Sequence, residues 1–458
     1  MKQIIFLIAV LIITGNPSNR CLAQKSEIQV SSMVRLQEEI DQAKPGNVIV
    51  VTNGIYETDK EITVKSKGIE GQSITITSES IGGAEIKGTS GFVIEGAASY
   101  IVIKGFKFTH ESGKTKIEPG ASFCRFTRNV FECTGKGAYL TVSGDDNQID
   151  HNTFQNKFTE GQMISVQGPG KSEMAQRNWI HHNYFYNFTP TSNNCSSIQV
   201  GLSGRSLSSS HTLVEHNLFS QTKGENENIC NKSCDNIYRY NTFGEGVSEL
   251  SLRHGNGCLV YGNFFLGSEG IRFYGHKHKI FSNYFEGCSP AINIGNGDGI
   301  VPQDKLTSHD RPDSVLVAFN KLKNNKINVI MQSRKDGLGA QNIVFANNII
   351  EGGKEAVQLG GDITNPTWEG NIIWKTGGID PNIKNGFVEA DPMFSNELGH
   401  LQKNSPAIGK SKGNYTFVTV DIDGQARPSI LDVGADQYLK TEVKNHPLKI
   451  DEVGPVGK

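Results

Sequence analysis

A short motif, Asn-x-[Phe/Ile/Leu], returns ten times in order along the chain, at Asn129, Asn152, Asn183, Asn217, Asn241, Asn263, Asn283, Asn320, Asn348 and Asn371. Successive intervals are 23, 31, 34, 24, 22, 20, 37, 28 and 23 residues. The short intervals match one coil of a parallel β-solenoid, and the longer ones imply loops inserted on one side. The surroundings are rich in strand formers, as in Leu213-Val-Glu-His-Asn-Leu-Phe219 and Lys279-Ile-Phe-Ser-Asn-Tyr-Phe285. Ten ordered occurrences set the motif apart from chance recurrence of a common tripeptide. The residue two after each Asn is expected to point inward, with the Asn at a turn. Stacked strands lie about 4.8 Å apart, so Asn side chains on successive coils are placed to share hydrogen bonds. The expected fold class is all-β: one solenoid domain.

A solenoid needs its first coil covered. Met33, Leu36, Ile40 and Ala43 fall at helical spacing ahead of Lys44-Pro-Gly and the strand-like Val48-Ile-Val-Val51, which predicts an N-terminal capping helix. From about residue 385 the repeat fades, and 385–458 is expected to form terminal coils and a closing tail. Asp421 and Asp423 suggest calcium, but Gln425 breaks the EF-hand pattern, so a turn is expected there. Residues 1–23 read as a signal peptide, with Lys2, an apolar run from Ile4 to Ile13 and a small-residue cleavage site at Cys21-Leu-Ala23. The run is too short to span a bilayer, so a soluble periplasmic or secreted protein is expected, comprising 24–458.

Losing Lys2 and Arg20 shifts the formal charge from −2 to −4. Nothing in this balance points to nucleic acid, and a polyanionic partner has to be met by a local basic groove. Seven cysteines remain beyond residue 23, at irregular spacing and odd in number. They give neither a zinc pattern nor a full disulfide framework, and are expected mainly as small buried hydrophobes. Oligomeric state is left open.

With the Asn residues as a ruler, Asn193 lies ten residues after Asn183, and Glu227 ten after Asn217. Glu225 lies eight after Asn217, Arg253 twelve after Asn241 and Arg272 nine after Asn263. All fall on the same part of successive coils. Glu225 and Glu227, at i and i+2, are expected on one face of an extended strand. An Asn carbonyl with two carboxylates suits Ca²⁺, which takes hard oxygen ligands; taken alone, Gly224-Glu-Asn-Glu would read as an acidic turn. Lys232 lies 21 residues before Arg253, about one coil. A lysine acts as a base only when burial or neighbouring positive charge favours its neutral form. His254 follows Arg253 and in a regular strand would face away from it, as a core or supporting group. Such a wall is equipped to remove a proton beside a carboxylate.

The blocks Asn217-Leu-Phe, Glu225-Asn-Glu-Asn-Ile-Cys-Asn-Lys-Ser233, Asn241-Thr-Phe, Leu252-Arg-His-Gly255, Gly262-Asn-Phe-Phe and Gly270-Ile-Arg-Phe-Tyr-Gly275 together resemble polysaccharide lyase family 6, the alginate lyases and chondroitinase-B-like enzymes. The similarity runs from roughly residue 30 to 440. It implies a right-handed parallel β-helix and Ca²⁺-assisted β-elimination. It also implies calcium ligands at Asn193, Glu225 and Glu227, the base at Lys232 and the acid at Arg253, with His254 beside them. Arg272, Tyr274, His276 and His278 are expected as sugar or carboxylate contacts. Two features depart from the pattern: Asn194 competes with Asn193 as ligand, and Gln199 stands where Arg is common.

An acidic polysaccharide is the expected partner, with alginate preferred over dermatan sulfate on the resemblance of Gly161-Gln-Met-Ile164, Asn231-Lys-Ser-Cys234 and Gly270-Ile-Arg272. A pectin-type hydrolase would draw on paired acids such as Gly144-Asp-Asp146, but here the pair sits in a repeating turn. A glycan-binding solenoid would need the groove without Lys232 and Arg253. Pectate-lyase-like elimination would use motifs absent from this chain.

Overall fold

The computed structural model describes residues 27–190 and 193–457; the signal peptide expected at residues 1–23 falls outside the described residues. Three long sheets, of 14, 12 and 14 strands, run the length of a right-handed parallel β-helix. Each strand pairs in parallel with its equivalents on the neighbouring coils, for example Ile198–Gly201 with Glu227–Lys232. Among the described residues no helix is long and apolar enough to cross a membrane.

The Asn repeat is the corner between the first and third sheets. All ten residues are buried. From Asn129 to Asn348, each donates both its backbone N–H and its Nδ2 to Oδ1 of the next Asn, for example 3.0 Å each from Asn217 to Asn241. Nδ2 also reaches back to a carbonyl one coil earlier, as from Asn241 to Val214 at 2.9 Å. The residue just before each Asn is left-handed, including His151, His182, His216 and Tyr240 at φ 50–57°. Such a conformation costs roughly 1–2 kcal/mol in a non-glycine residue; the ladder hydrogen bonds hold it. Two residues after each Asn an apolar side chain points inward, and from Phe108 to Phe285 the rings stack at 4.5–5.2 Å.

The predicted helix is present at Met33–Gln42, capped by Ser32, with Leu36 and Ile40 buried. Gln37 ties it to the first coil by accepting from Thr63 N–H at 3.0 Å and donating to the Thr63 carbonyl at 2.9 Å. A strand unforeseen in the sequence, Glu27–Val30, precedes the helix and pairs with Val48–Val51. All seven cysteines beyond residue 23 are buried.

The last strand of the third sheet is Phe387–Glu389. Beyond it the chain turns and runs back along the solenoid's side. Lys412 bonds Asn347, Asn445 Nδ2 reaches the Gly262 carbonyl, Gly454 N–H the His182 carbonyl, and Arg128 the Pro455 carbonyl. Asp421 does open a turn, its Oδ1 accepting Gln425 N–H at 2.8 Å.

Candidate active site

The residues singled out in the sequence gather on the 12-stranded sheet. Its strands Ile198–Gly201, Glu227–Lys232, Glu249–His254 and Ile271–Phe273 stack in register, aligning Gln199, Cys230, Ser251 and Arg272. A pocket of about 230 Å³ opens beside them, lined by Asn193, Glu225, Glu227, Lys232 and Arg253, with Asn194, Gln199 and Cys230. The long coil that begins at Asn183 contributes Asn193 and Asn194 to its lining from a loop.

The two glutamates reach the pocket by different routes. Glu227 opens its strand and is 5% exposed. Glu225 lies in the bend before it, so the expectation of one extended strand is corrected. That bend lets Glu225 Oε2 accept the backbone N–H of Asn194 at 2.8 Å. Asn193 is exposed at the pocket mouth. Lys232 ends the strand, with Nζ 3.4 Å from Gln199 Oε1.

A bulge sets Arg253. The register runs Asn231 to Leu252 and then Lys232 to His254, leaving Arg253 without a partner. A bulge re-aims the extra side chain: Arg253 Nη1 meets Glu227 Oε1 at 2.9 Å. Arg272 Nη2 meets the same oxygen at 2.5 Å, while its Nε lies 2.9 Å from Glu249 Oε1. Burial opposes the Glu227 charge, but Arg272 and Arg253 overcome it and hold the carboxyl below its ordinary value. Glu249 fares differently: burial dominates over Arg272, and its carboxyl is pushed up to about 8.

Glu249 was missed in the sequence, although it lies eight residues after Asn241 just as Glu225 follows Asn217. The same ruler carried one coil further would have found it.

The remaining expected residues divide. Arg272 is tied up by carboxylates and forms part of the wall. Tyr274 is 8% exposed, its ring 5.8 Å from the Arg272 guanidinium and 4.8 Å from the His309 ring. His254 is buried, stacks on His309 at 5.7 Å and does not line the pocket; burial, with His309 and Arg253 beside it, pushes it down to about 4. His276 pairs with Asp310 at 3.1 Å. His278 is a correction: fully buried, its Nδ1 accepts Cys258 N–H at 3.0 Å and its Nε2 donates to the Tyr274 carbonyl at 2.8 Å. It fills a corner of the coil and has no ring nitrogen left for a sugar. Asp145 and Asp146 likewise serve a turn, Asp146 being clamped by Arg177 at 2.7 Å.

For calcium, the donor atoms suit a hard cation. They are amide and carboxylate oxygens in an open pocket, and both arginines meet the same Glu227 oxygen.

The protein is a parallel β-helix with this pocket on its flank. The Chondroitinase B family model matches residues 30–355, and the chain belongs to that family, polysaccharide lyase family 6. Among solved structures, the family 6 alginate lyase AlyGC shares 27% identity at a TM-score of 0.74, over 83% of this chain and 56% of AlyGC. The chain thus spans little more than half of that enzyme. A mannuronic-acid-specific family 6 lyase from human gut microbiota shares 25% identity at a TM-score of 0.68, over 80% of this chain and 91% of its own. The family 6 lyase Pedsa3628 from Pseudopedobacter saltans matches in fold, at 18% identity and a TM-score of 0.66, over 94% and 99% of the two chains. No curated protein sequence matches the chain.

Proposed function

We propose that the protein is an exported lyase that cleaves alginate by β-elimination, leaving an unsaturated uronate at the new non-reducing end. The observation that carries this reading is the meeting of Lys232 and Arg253 with Glu225, Glu227 and Asn193 in one pocket. Membership of the family and the likeness to alginate lyases support it.

In the proposed reaction Lys232 takes the C5 proton of a bound uronate. The electron pair forms the C4–C5 double bond as the C4–O bond breaks, and Arg253 stands near the departing oxygen. Asn193, Glu225 and Glu227 would hold Ca²⁺, which when bound neutralises the substrate carboxylate and lowers the cost of the developing charge. Arg272 and Glu249 fix the wall behind Glu227. Gln199 steadies Lys232 by accepting its hydrogen bond.

Ultraviolet absorbance of the unsaturated product tests the reading, with alginate and dermatan sulfate run in parallel. A rise on alginate supports it. A rise on dermatan sulfate alone moves the substrate to the second reading, which the Chondroitinase B family description favours. Silence on both opposes lyase action on either polymer.

A further inference from the structure

Four aspartates of the returning tail are buried, and they divide into two kinds. Asp421 and Asp432 spend both carboxylate oxygens on backbone N–H groups: Gln425 and Gln437 for Asp421, Gly409 and Tyr438 for Asp432. These hold turns. Asp423 and Asp436 do not. Both Asp423 oxygens lie 3.0–3.1 Å from one ring nitrogen, Nε2 of His400. Asp436 gives one oxygen to Leu401 N–H at 2.7 Å. Among the described residues its other oxygen accepts nothing, although the side chain is more than nine-tenths buried.

One donor atom each from His400, Asp423 and Asp436 lies within 4.8 Å of the other two. A cleft of about 430 Å³ opens onto them, and Gln425 lines it too. Gln425 is 5% exposed; its Nε2 is used by the Thr441 carbonyl, while among the described residues its Oε1 has no hydrogen-bond partner. Among the described residues no Lys or Arg forms an ion pair with Asp423 or Asp436. The nearby Arg427 turns instead to the carbonyls of Asp432, Gly434 and Ala435. Two buried carboxylates thus share a cleft with one imidazole and an unpaired amide oxygen.

We propose that His400, Asp423 and Asp436 hold one divalent ion of the zinc class, with the Gln425 amide oxygen as a further donor, and that this ion staples the tail. An imidazole with carboxylates suits zinc better than an all-oxygen set does. Tetrahedral zinc spaces its donors by roughly 3.4 Å, so a small inward movement of the three side chains closes the site. The Asn396 amide, which accepts the backbone N–H of His400 at 3.1 Å, lies 2.7 Å from His400 Nδ1 and keeps Nε2 turned toward the carboxylates. The site joins the hairpin that pairs Phe394 with Leu401 to the turn at Asp423 and to Asp436. It shares no residue with the pocket at Lys232.

The test uses the full chain, stripped of metal and then saturated with calcium. Zinc is titrated by calorimetry with metal analysis, and the melting temperature is read with and without zinc. Wild type is expected to bind one zinc more than Asp436→Asn or His400→Gln, or to bind it at least about tenfold more tightly, and zinc raises its melting temperature. Cobalt in place of zinc is expected to give the visible absorption of a nitrogen- and oxygen-ligated ion, a readout in wild type that needs no variant to fold. No zinc uptake by wild type, or uptake and cobalt spectra identical in wild type and both variants, overturns the proposal.

Discussion

Arg272 reaches past one whole coil to meet Glu227. Its Nη2 lies 2.5 Å from that carboxylate, while its Nε holds Glu249 on the coil between. One guanidinium thus ties three successive coils behind the pocket. Removing one partner of a buried pair leaves an uncompensated charge, at a cost of about 3–5 kcal/mol. Arg272→Ala is therefore expected to lower stability by about 3 kcal/mol, read from urea unfolding. Arg272→Lys recovers little, since an ammonium does not present the same fork. A loss under 1 kcal/mol for the alanine variant opposes this account.

Lys232 and Arg253 are partly open to solvent and carry chemistry in the proposed reaction. Loss of a proton-transfer group costs about 10²–10⁴-fold in rate. Lys232→Ala is expected to fall within that range in kcat while its melting temperature stays close to wild type. A variant that keeps more than a tenth of wild-type kcat removes Lys232 from the role of base.

Glu225 is half-buried and makes its one described hydrogen bond to a backbone amide. If it holds calcium, Glu225→Gln weakens that ion while leaving the strands in place. Chelator is expected to suppress wild-type activity, with added calcium restoring it and the variant requiring more. Full activity in chelator argues for elimination without the metal, with the arginines left to balance the substrate carboxylate.

Asn241 stands mid-ladder and is fully buried. Its Oδ1 takes both the N–H and the Nδ2 of Asn217; Asn241→Ala strands that N–H and removes the bond to the Val214 carbonyl, while Asn217 Nδ2 keeps the Ile180 and Glu215 carbonyls. A buried unsatisfied group costs about 1–3 kcal/mol, giving an expected loss of at least about 1 kcal/mol by chemical denaturation. The residue before it is left-handed, and without its neighbour's bonds that corner is free to relax.

Acid is expected to weaken the fold through its buried histidines. Burial pushes His278 down to about 4 from an ordinary 6.5, its hydrogen bonds to backbone only partly opposing. The unfolded chain then binds the proton more readily than the folded one. The stability is fully present above pH 6.5, declines as pH falls toward 4, and is lost below that value. One fully buried ring accounts for up to about 1.4 kcal/mol per pH unit in that window. Urea midpoints measured from pH 7 to pH 4 test this. A flat profile contradicts it, and His278→Asn is expected to flatten the slope.

The periodic parts of this protein were open to reading. The Asn ladder, the inward rings and the capping helix rest on local spacing, which a sequence displays directly. The pocket was legible for the same reason, since one coil of offset brings Asn193, Glu225, Lys232 and Arg253 together. Irregularity hid the rest. The bend at Glu225 and the bulge at Arg253 break the period of two, and no spacing announces either. His278 was misread because the corner it fills is occupied by Asn on other coils, as by Asn236 accepting from Thr212 N–H, so an imidazole there looked like chemistry. Glu249 was overlooked because it lies outside the Glu-x-Glu block.

The returning tail changes what kind of polymer this is. A simple solenoid is a row of neighbours, able to lose coils from either end and keep the remainder. Here Arg128 grips Pro455 across 327 positions of sequence, and other parts of the tail hold coils in between. Pulling on the row's far end loads its near end as well, so coils that would peel away singly are made to yield together. Closure of that kind is slow to form, because contacts between distant segments wait on the search that brings them together. The chain can wind its coils as they emerge, but the lock is made only after the segment from Lys412 to Pro455 arrives.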